Sequence, residues 1–438
     1  MLAICCMSLF IVGLDATIVN LALPSIRQDL GASVTGLQWT VDAYTLVLAA
    51  LLVLSGSMAD RLGRRRTFQA GLVLFSAGSL LCSVAPNVGL LIVFRMVQAA
   101  GGSMMNPVAM SIITNTFTEK RERARAIGVW GGVVGLSMAA GPLVGGLLVQ
   151  TIGWRSIFWL NVPVGVLAVV LTALFVPESR ADRPRRLDPL GQVLVVLILA
   201  GTVFGIIEGP GAGWGSPLIV GSFLVAALSL AGLLRYEPRR EDPLLELRFF
   251  RSVPFSGATV IAVCAFASLG GFLFLNSIYL QETRGFSALH AGLLTLPMAA
   301  MTAVFAPISG RIVGTWGARV PLVVAGIGLT VAGVLLTRVD PTSPIALLIV
   351  AYTAFGIGFG VVNAPITNTA VSGMPKEQAG VAAAIASTSR QVGAALGVAL
   401  IGGFAGSAVG WWIVVGCGVA VGVLGVVTTS QRALKSVL

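Results

Sequence analysis

Charge is what this sequence has least of. Only 10% of its 438 residues are Asp, Glu, Lys or Arg, where a soluble domain carries about a quarter, and 56% are hydrophobic. That balance excludes a water-soluble globule. One bilayer crossing takes about 20 mostly apolar residues, so the apolar content furnishes roughly a dozen or more spanning helices. Histidine occurs once, as His290, and the five cysteines (Cys5, Cys6, Cys82, Cys264, Cys417) lie in or beside apolar runs without metal-ligand spacing. Neither a zinc site nor a disulfide framework is expected. A lone His and no clustered acids leave little to build an intramembrane enzyme from. The chain also lacks the GxxxxGK[ST] loop of ATP-driven proteins and the repeated filter sequence of a channel.

What charge there is has a sign and a pattern. The net charge is +11, but the arginines stand in short clusters between apolar runs and not along one aromatic-rich face, so nucleic acid is not expected as a partner. Apolar runs fall near 2–24, 39–58, 67–86, 88–114, 125–150 and 155–176, then 190–207 and 217–234, then 253–280, 289–310, 320–337, 345–371, 379–403 and 409–428. The spacing predicts an all-α integral membrane protein of fourteen helices. They group as an N-terminal six-helix bundle (1–177), an inserted pair with polar linkers (178–252) and a C-terminal six-helix bundle (253–438). With the N-terminus inside, 22 of the 28 basic residues fall in cytoplasmic segments and only Arg27, Arg155, Arg284 and Arg338 outside, which predicts both termini in the cytoplasm. The first run has no basic region before it and contains Asp15, so it reads as a spanning helix and not a signal peptide. Its abrupt start is what a chain lacking a few preceding residues would show. Only Lys120, Lys376 and Lys435 among the basic residues are Lys, which fits a GC-rich bacterial source.

A faint repeat accompanies the grouping. Gly56-Ser57-Met58-Ala59-Asp60-Arg61-Leu62-Gly63-Arg64 follows the second run. Gly310-Arg311-Ile312-Val313-Gly314-Thr315-Trp316-Gly317-Ala318 follows the tenth, with the outer glycines in register. Arg121-Glu122 and Lys376-Glu377 pair at a similar offset. Parallel six-helix repeats with an inserted pair are expected from this arrangement.

Six motifs carry a family resemblance. Leu14-Asp15-Ala16-Thr17-Ile18-Val19-Asn20-Leu21-Ala22-Leu23-Pro24 in the first run resembles the signature of the fourteen-helix drug:proton antiporters, a branch of the major facilitator superfamily. Gly56, Asp60, Arg61, Gly63 and Arg64 match the superfamily loop, and Arg95 and Gln98 the RxxQGxG pattern, with Ala99 replacing its first glycine. Gly128, Gly141, Pro142, Gly145 and Gly146 resemble the antiporter motif of the fifth helix, with Ser137 in place of one glycine. Trp154 to Phe158 with Asn161 to Pro163, and Ser389 to Gly393, resemble the family's sixth and thirteenth helices. The resemblance spans the chain and implies a proton-coupled exporter of lipophilic or cationic small molecules, working by alternating access in a bacterial inner membrane. It implies a monomer without cofactor, whose partners are a small-molecule substrate, protons and the lipid bilayer. An uptake symporter or facilitator of the same fold is the alternative, and the Gly-Pro pattern of the fifth run argues for export.

An ionisable residue inside a bilayer costs about 2.5 to 3.5 kcal/mol on insertion scales, so it turns toward a cavity or a partner. Asp15 lies about 13 Å from the outer end of its run and Arg95 about 12 Å from the same side, depths at which they can meet. They are read as a proton-accepting carboxylate with its modulating cation, or as a fixed ion pair between helices. Arg390, near the midplane, meets either a polar or anionic substrate group or neighbouring carbonyls. Asp42, beside Trp39 and Tyr44, is expected in wet surroundings at the outer rim, and His290 at the interface. The glycines of the Gly56–Arg64 loop imply a tight turn and close helix approach, and the resemblance implies a cytoplasmic latch there. Met104, Met105, Phe272, Phe274 and Tyr279 are candidates to line an adaptable cavity.

Overall fold

Peptide groups in hydrocarbon have no water to bond, so each crossing must satisfy its own as a helix. The computed structural model of the chain describes all residues except 181–186, 242, 373–378, 431–432 and 434–438, and among the described residues there is no strand. The α-helices run α1 Leu2–Leu30, α2 Val34–Leu62, α3 Arg64–Ser83, α4 Val88–Thr116, α5 Lys120–Thr151, the single turn α6 Ser156–Trp159 and α7 Asn161–Phe175. They continue as α8 Pro189–Ala212, α9 Pro217–Tyr236, α10 Val253–Ile278, α11 Ala288–Trp316, α12 Arg319–Leu336, α13 Ile345–Val371, α14 Ala379–Gly402 and α15 Ala408–Thr428. Taking α6 and α7 as one crossing, 13 helices among the described residues are long and apolar enough to span a membrane. The 20-residue α3, which opens on Arg64, Arg65 and Arg66, brings the number to fourteen.

The helices outrun the apolar segments. At 29 residues each, α1, α2 and α4 are about 44 Å long, against a hydrocarbon core of about 30 Å. Helix α1 passes through Pro24 and stops at Leu30, where Gly31 takes the left-handed conformation (φ 62°) that lets the chain leave the helix. Helix α2 starts at Val34 behind the Ser33 cap, five residues earlier than its apolar run, because a helix start needs only a cap and not continued hydrophobicity.

Two compact units form, residues 1–192 with 287–293, and 193–286 with 294–438. In the first, α1 packs on α5, α3 on α4 and on α7, and α1 on α7. In the second, α10 packs on α14, α12 on α13 and on α15, and α10 on α15. These are the same four pairings eight crossings later, the packing counterpart of the faint sequence repeat. The repeat's turn glycines also match, since Gly63 (φ 110°) and Gly317 (φ 81°) both hold positive φ between paired helices. The second repeat element, Lys376-Glu377, lies outside the described residues.

Candidate functional site

The chemistry of the first unit converges on Asp15. Its side chain is wholly buried, and Arg95, 1% exposed, reaches it across from α4 with Nη1 2.5 Å from Oδ2. The second carboxylate oxygen, Oδ1, accepts from Gln98 Nε2 at 2.9 Å and Asn161 Nδ2 at 3.1 Å. Both amides also donate to Ser79 Oγ on α3, at 2.6 and 3.2 Å. Arg95 Nη1 bonds Gln98 Oε1 at 2.7 Å, and its Nε donates to the Thr40 carbonyl of α2 at 3.3 Å. The guanidinium lies 4.2 Å from the Tyr44 ring centroid, a cation–π contact that shields the pair further. One carboxylate thus ties α1 to α4 and α7, and through its partners to α2 and α3.

Local sequence makes this convergence possible. Gln98 stands one turn after Arg95, so both point to one face. Helix α3 approaches α4 closely because Gly78 has no side chain: a Cβ there would lie 2.6 Å from the Gln98 backbone. Gly101 and Gly71 pack as tightly, so close approach survives although Ala99 replaces the family glycine. The depth argument brought Asp15 and Arg95 together, but Ser79 carried no sequence signal beyond being one serine among several.

Asp42 departs from its expected place. It is fully buried in α2 and not solvated at a rim, because the helix begins at Val34 and carries it two turns deeper. Thr45 Oγ1 donates to its Oδ1 at 3.3 Å, and Oδ2 has no hydrogen-bond partner among the described residues.

The expected loop at Gly56–Arg64 is mostly helix. Gly56, Asp60 and Arg61 lie in the last turns of α2, and only Gly63 forms the turn. A Cβ on Gly56 would meet nothing within 4 Å, so neither a turn nor close packing demands glycine there. Asp60 pairs with Arg64 at 3.1 Å, one turn on, while Arg61 is exposed. The turn is gripped from the end of α7 by Glu178, a residue without a motif to announce it. Its Oε1 accepts from the Arg65 N–H at 3.1 Å and its Oε2 lies 3.7 Å from Arg66 Nε, while the Arg64 N–H donates to the Ser179 carbonyl at 2.9 Å. A Cβ on Gly63 would stand 2.4 Å from the Glu178 carboxylate.

Helix α5 uses its glycines unequally. A Cβ on Gly141 would lie 2.0 Å from Thr17 Oγ1, and one on Gly145 2.4 Å from Ile18, both on α1. Gly146 faces Ala288 and Leu289 at 2.8 Å, whereas Gly128 has open space. Where Ser137 replaces a family glycine, the room comes from Gly13 of α1, whose Cβ would stand 2.3 Å from the Ser137 hydroxyl. Pro142 continues within α5. The Trp154-Arg155 motif is a staple: Trp154 Nε1 donates to Asp29 Oδ2 at 2.9 Å, Arg155 pairs with Asp29, and Arg155 Nη2 bonds the Ala85 carbonyl at 3.2 Å.

In the second unit Arg390 of α14 donates to the Thr367 hydroxyl of α13. Phe272 and Phe274 are wholly buried, with Phe272 stacked on Phe355 at 4.3 Å and edge-on to Tyr352 and Trp411. These two, and the buried Met105, are packing and do not line a cavity. Met104 and Tyr279 are half-buried, and His290 is exposed in the first turn of α11.

With this geometry in hand, comparison with known proteins is informative. The sequence profile described as "Major Facilitator Superfamily" matches residues 5–398. The "Tetracenomycin C resistance and export protein" of Streptomyces glaucescens is 39% identical over 402 residues, 91% of this chain and 74% of that protein. The "Multidrug resistance protein Stp" of Mycobacterium tuberculosis (strain CDC 1551 / Oshkosh) is 36% identical over 396 residues, 90% of this chain and 74% of its own length. The "Methylenomycin A resistance protein" of Streptomyces coelicolor is 34% identical over 393 residues, covering 89% and 82%. Among solved structures, a POT family transporter crystallised with 5-aminolevulinic acid superposes with a TM-score of 0.72 at 16% identity, over 97% of this chain and 94% of that one, a likeness of fold.

Proposed function

Because this chain belongs to the Major Facilitator Superfamily, we propose that it is an exporter of lipophilic or cationic small molecules, driven by the proton gradient through alternating access of two six-helix bundles. Relatives named for drug resistance and export match it along about nine-tenths of its length, which supports export over uptake. It is a multi-pass membrane protein; the skew of its basic residues supports cytoplasmic termini, and its bacterial relatives support a bacterial inner membrane. It acts as a monomer with no bound cofactor.

The observation that carries proton coupling is the closure of Arg95, Gln98 and Asn161 on one buried carboxylate. A proton on Asp15 cancels the charge those three donors face. That loosens α1 from α4 and α7 together, so protonation and helix rearrangement become one event. Arg95 is the cation left without its counter-charge when that proton binds. The turn at Gly63, with Asp60, Arg61 and Arg64, serves as the cytoplasmic latch, and the close α1–α5 contact at Gly141 and Gly145 is the antiporter helix's share.

The test uses the purified chain in vesicles with an imposed pH gradient. Asp15→Asn is expected to abolish gradient-driven transport while leaving substrate exchange across the membrane. Arg95→Ala is expected to weaken gradient-driven transport, since it removes the cation bonded to the carboxylate. Rescue of coupled transport in the Asp15→Asn, Arg95→Ala double variant makes the pair a structural one and overturns the assignment.

A further inference from the structure

Arg390 is a cation that pairs with no acid among the described residues. No Asp or Glu occurs anywhere in α10, α11, α12, α13, α14 or α15. Among the described residues the guanidinium makes a single hydrogen bond, from Nη2 to Thr367 Oγ1, and its buried Nε has no partner. Arginine presents five N–H donors in a planar fork and keeps its charge in any protein environment. One threonine hydroxyl, itself donating to the Asn363 carbonyl at 3.3 Å, leaves most of that fork free. Arg95 shows how this chain surrounds a fully partnered guanidinium: it supplies an acid, an amide, a carbonyl and an aromatic face.

The surroundings say what the free fork faces. Thr367 and Asn368 are exposed and Asn363 is half-buried, although all three lie in a spanning helix. Polar side chains left open at that depth belong against water or a ligand and not against lipid. Along the same stripe of α13, at four-residue steps, stand Phe355 and Phe359 with stacked rings, and Phe359 meets the half-buried Phe266 of α10 edge-on at 5.2 Å. From Thr367 to Phe359 is eight residues, about 12 Å along the helix. A cationic fork at one end and the half-buried ring of Phe266 at the other, backed by the buried Phe359, fit a small molecule with an acidic oxygen group at one end and an apolar ring system behind it.

We propose that Arg390, with Thr367 and Asn363, is the headgroup site for amphipathic organic acids, the carboxylate or other ionised oxygen acid taking the guanidinium fork and the ring system lying toward Phe266. This widens the substrate range beyond lipophilic cations. Its transport aspect rests on the export reading above; its binding aspect does not.

The test pairs a fluorescent aromatic carboxylate with its uncharged methyl ester. Equilibrium binding to the purified wild-type protein, without any gradient, is expected to favour the carboxylate at least tenfold. Arg390→Gln is expected to bring that ratio to near one, and Arg390→Lys to leave it in between, since an ammonium keeps the charge without the fork. Size-exclusion elution checks that each variant is folded, and a misfolded Gln variant leaves the wild-type ratio and the Lys variant to decide. Equal affinity of the wild type for acid and ester, or a ratio unchanged in Arg390→Gln, overturns the site. Vesicle export of the same pair is read separately. Binding preference without export of either compound, or of a lipophilic cation, refutes the export reading and leaves the anion site standing.

Discussion

Asp15 and Asp42 are both wholly buried acids in spanning helices of one unit, yet they depend on their surroundings in opposite ways. Asp15 neutralises Arg95, so removing its charge strands a guanidinium that is 1% exposed. Breaking a buried pair in this way costs about 3 to 5 kcal/mol. Asp42 faces no cation among its bonded partners, and its one hydrogen bond, from Thr45, is kept by an asparagine carbonyl. We therefore expect Asp15→Asn to lower the thermal midpoint in detergent markedly, whereas Asp42→Asn changes stability by less than about 1 kcal/mol. Equal losses in the two variants show that Asp42 has a cationic partner in the folded protein. The sequence marked Asp15 as exceptional but placed Asp42 in wet surroundings at the outer rim, whereas the fold buries it. With both buried, only their neighbours tell them apart.

At the scale of the helix, glycines that look alike in sequence carry different burdens. Helix α5 has no room for a methyl at Gly141 or Gly145, where α1 lies in the way, but has room at Gly128. Gly128→Ala is expected to stabilise the chain by about 0.5 to 1 kcal/mol through helix propensity. Gly141→Ala is expected to destabilise it by more than that gain, because the methyl drives Thr17 out of its place. Thermal unfolding of the two variants side by side checks the contrast. The α2–α3 turn yields a second prediction. Glu178 accepts the Arg65 N–H in the first turn of α3 and neighbours Arg66, and Asp60 holds Arg64. Asp60→Asn and Glu178→Gln should each slow transport severalfold while leaving substrate affinity within about twofold, since a latch biases conformations without touching the ligand. A tenfold loss of affinity with unchanged cycling refutes the latch.

On the scale of the whole molecule, the prediction concerns topology. Gly213 lies in the turn between α8 and α9, and Arg240 beyond the end of α9. In a chain freed of its five native cysteines, Cys at 213 should react with an impermeant thiol reagent applied to intact cells. Cys at 240 should react only after permeabilisation. Labelling of 240 from outside refutes the fourteen-crossing arrangement. The repeated pairings, α1 with α5 and α10 with α14, α3 with α4 and α12 with α13, belong to this scale as well. Their sequence trace is nearly erased, since packing two helices together requires small residues somewhere along a face and not at one matching position.

Sequence by itself determined that this is a membrane protein of thirteen or fourteen apolar helices, and marked Asp15, Arg95 and Arg390 as charges within them. These are local properties: every crossing must satisfy its own peptide groups, and each buried charge stands out against about 20 apolar neighbours. Even the helix ends were only half legible, because hydropathy marks the hydrocarbon and not the helix, and α1 and α2 run well past it. The tertiary structure alone decided which polar groups meet. That Ser79, Gln98 and Asn161 close on Asp15, that Glu178 grips the Gly63 turn, that Gly56 and Gly128 have space, and that Arg390 has one partner where Arg95 has several all depend on how helices far apart in sequence turn toward one another. Rotation of a nearly uniformly apolar helix about its axis leaves composition and hydropathy unchanged, so its facing residues are set by packing against neighbours.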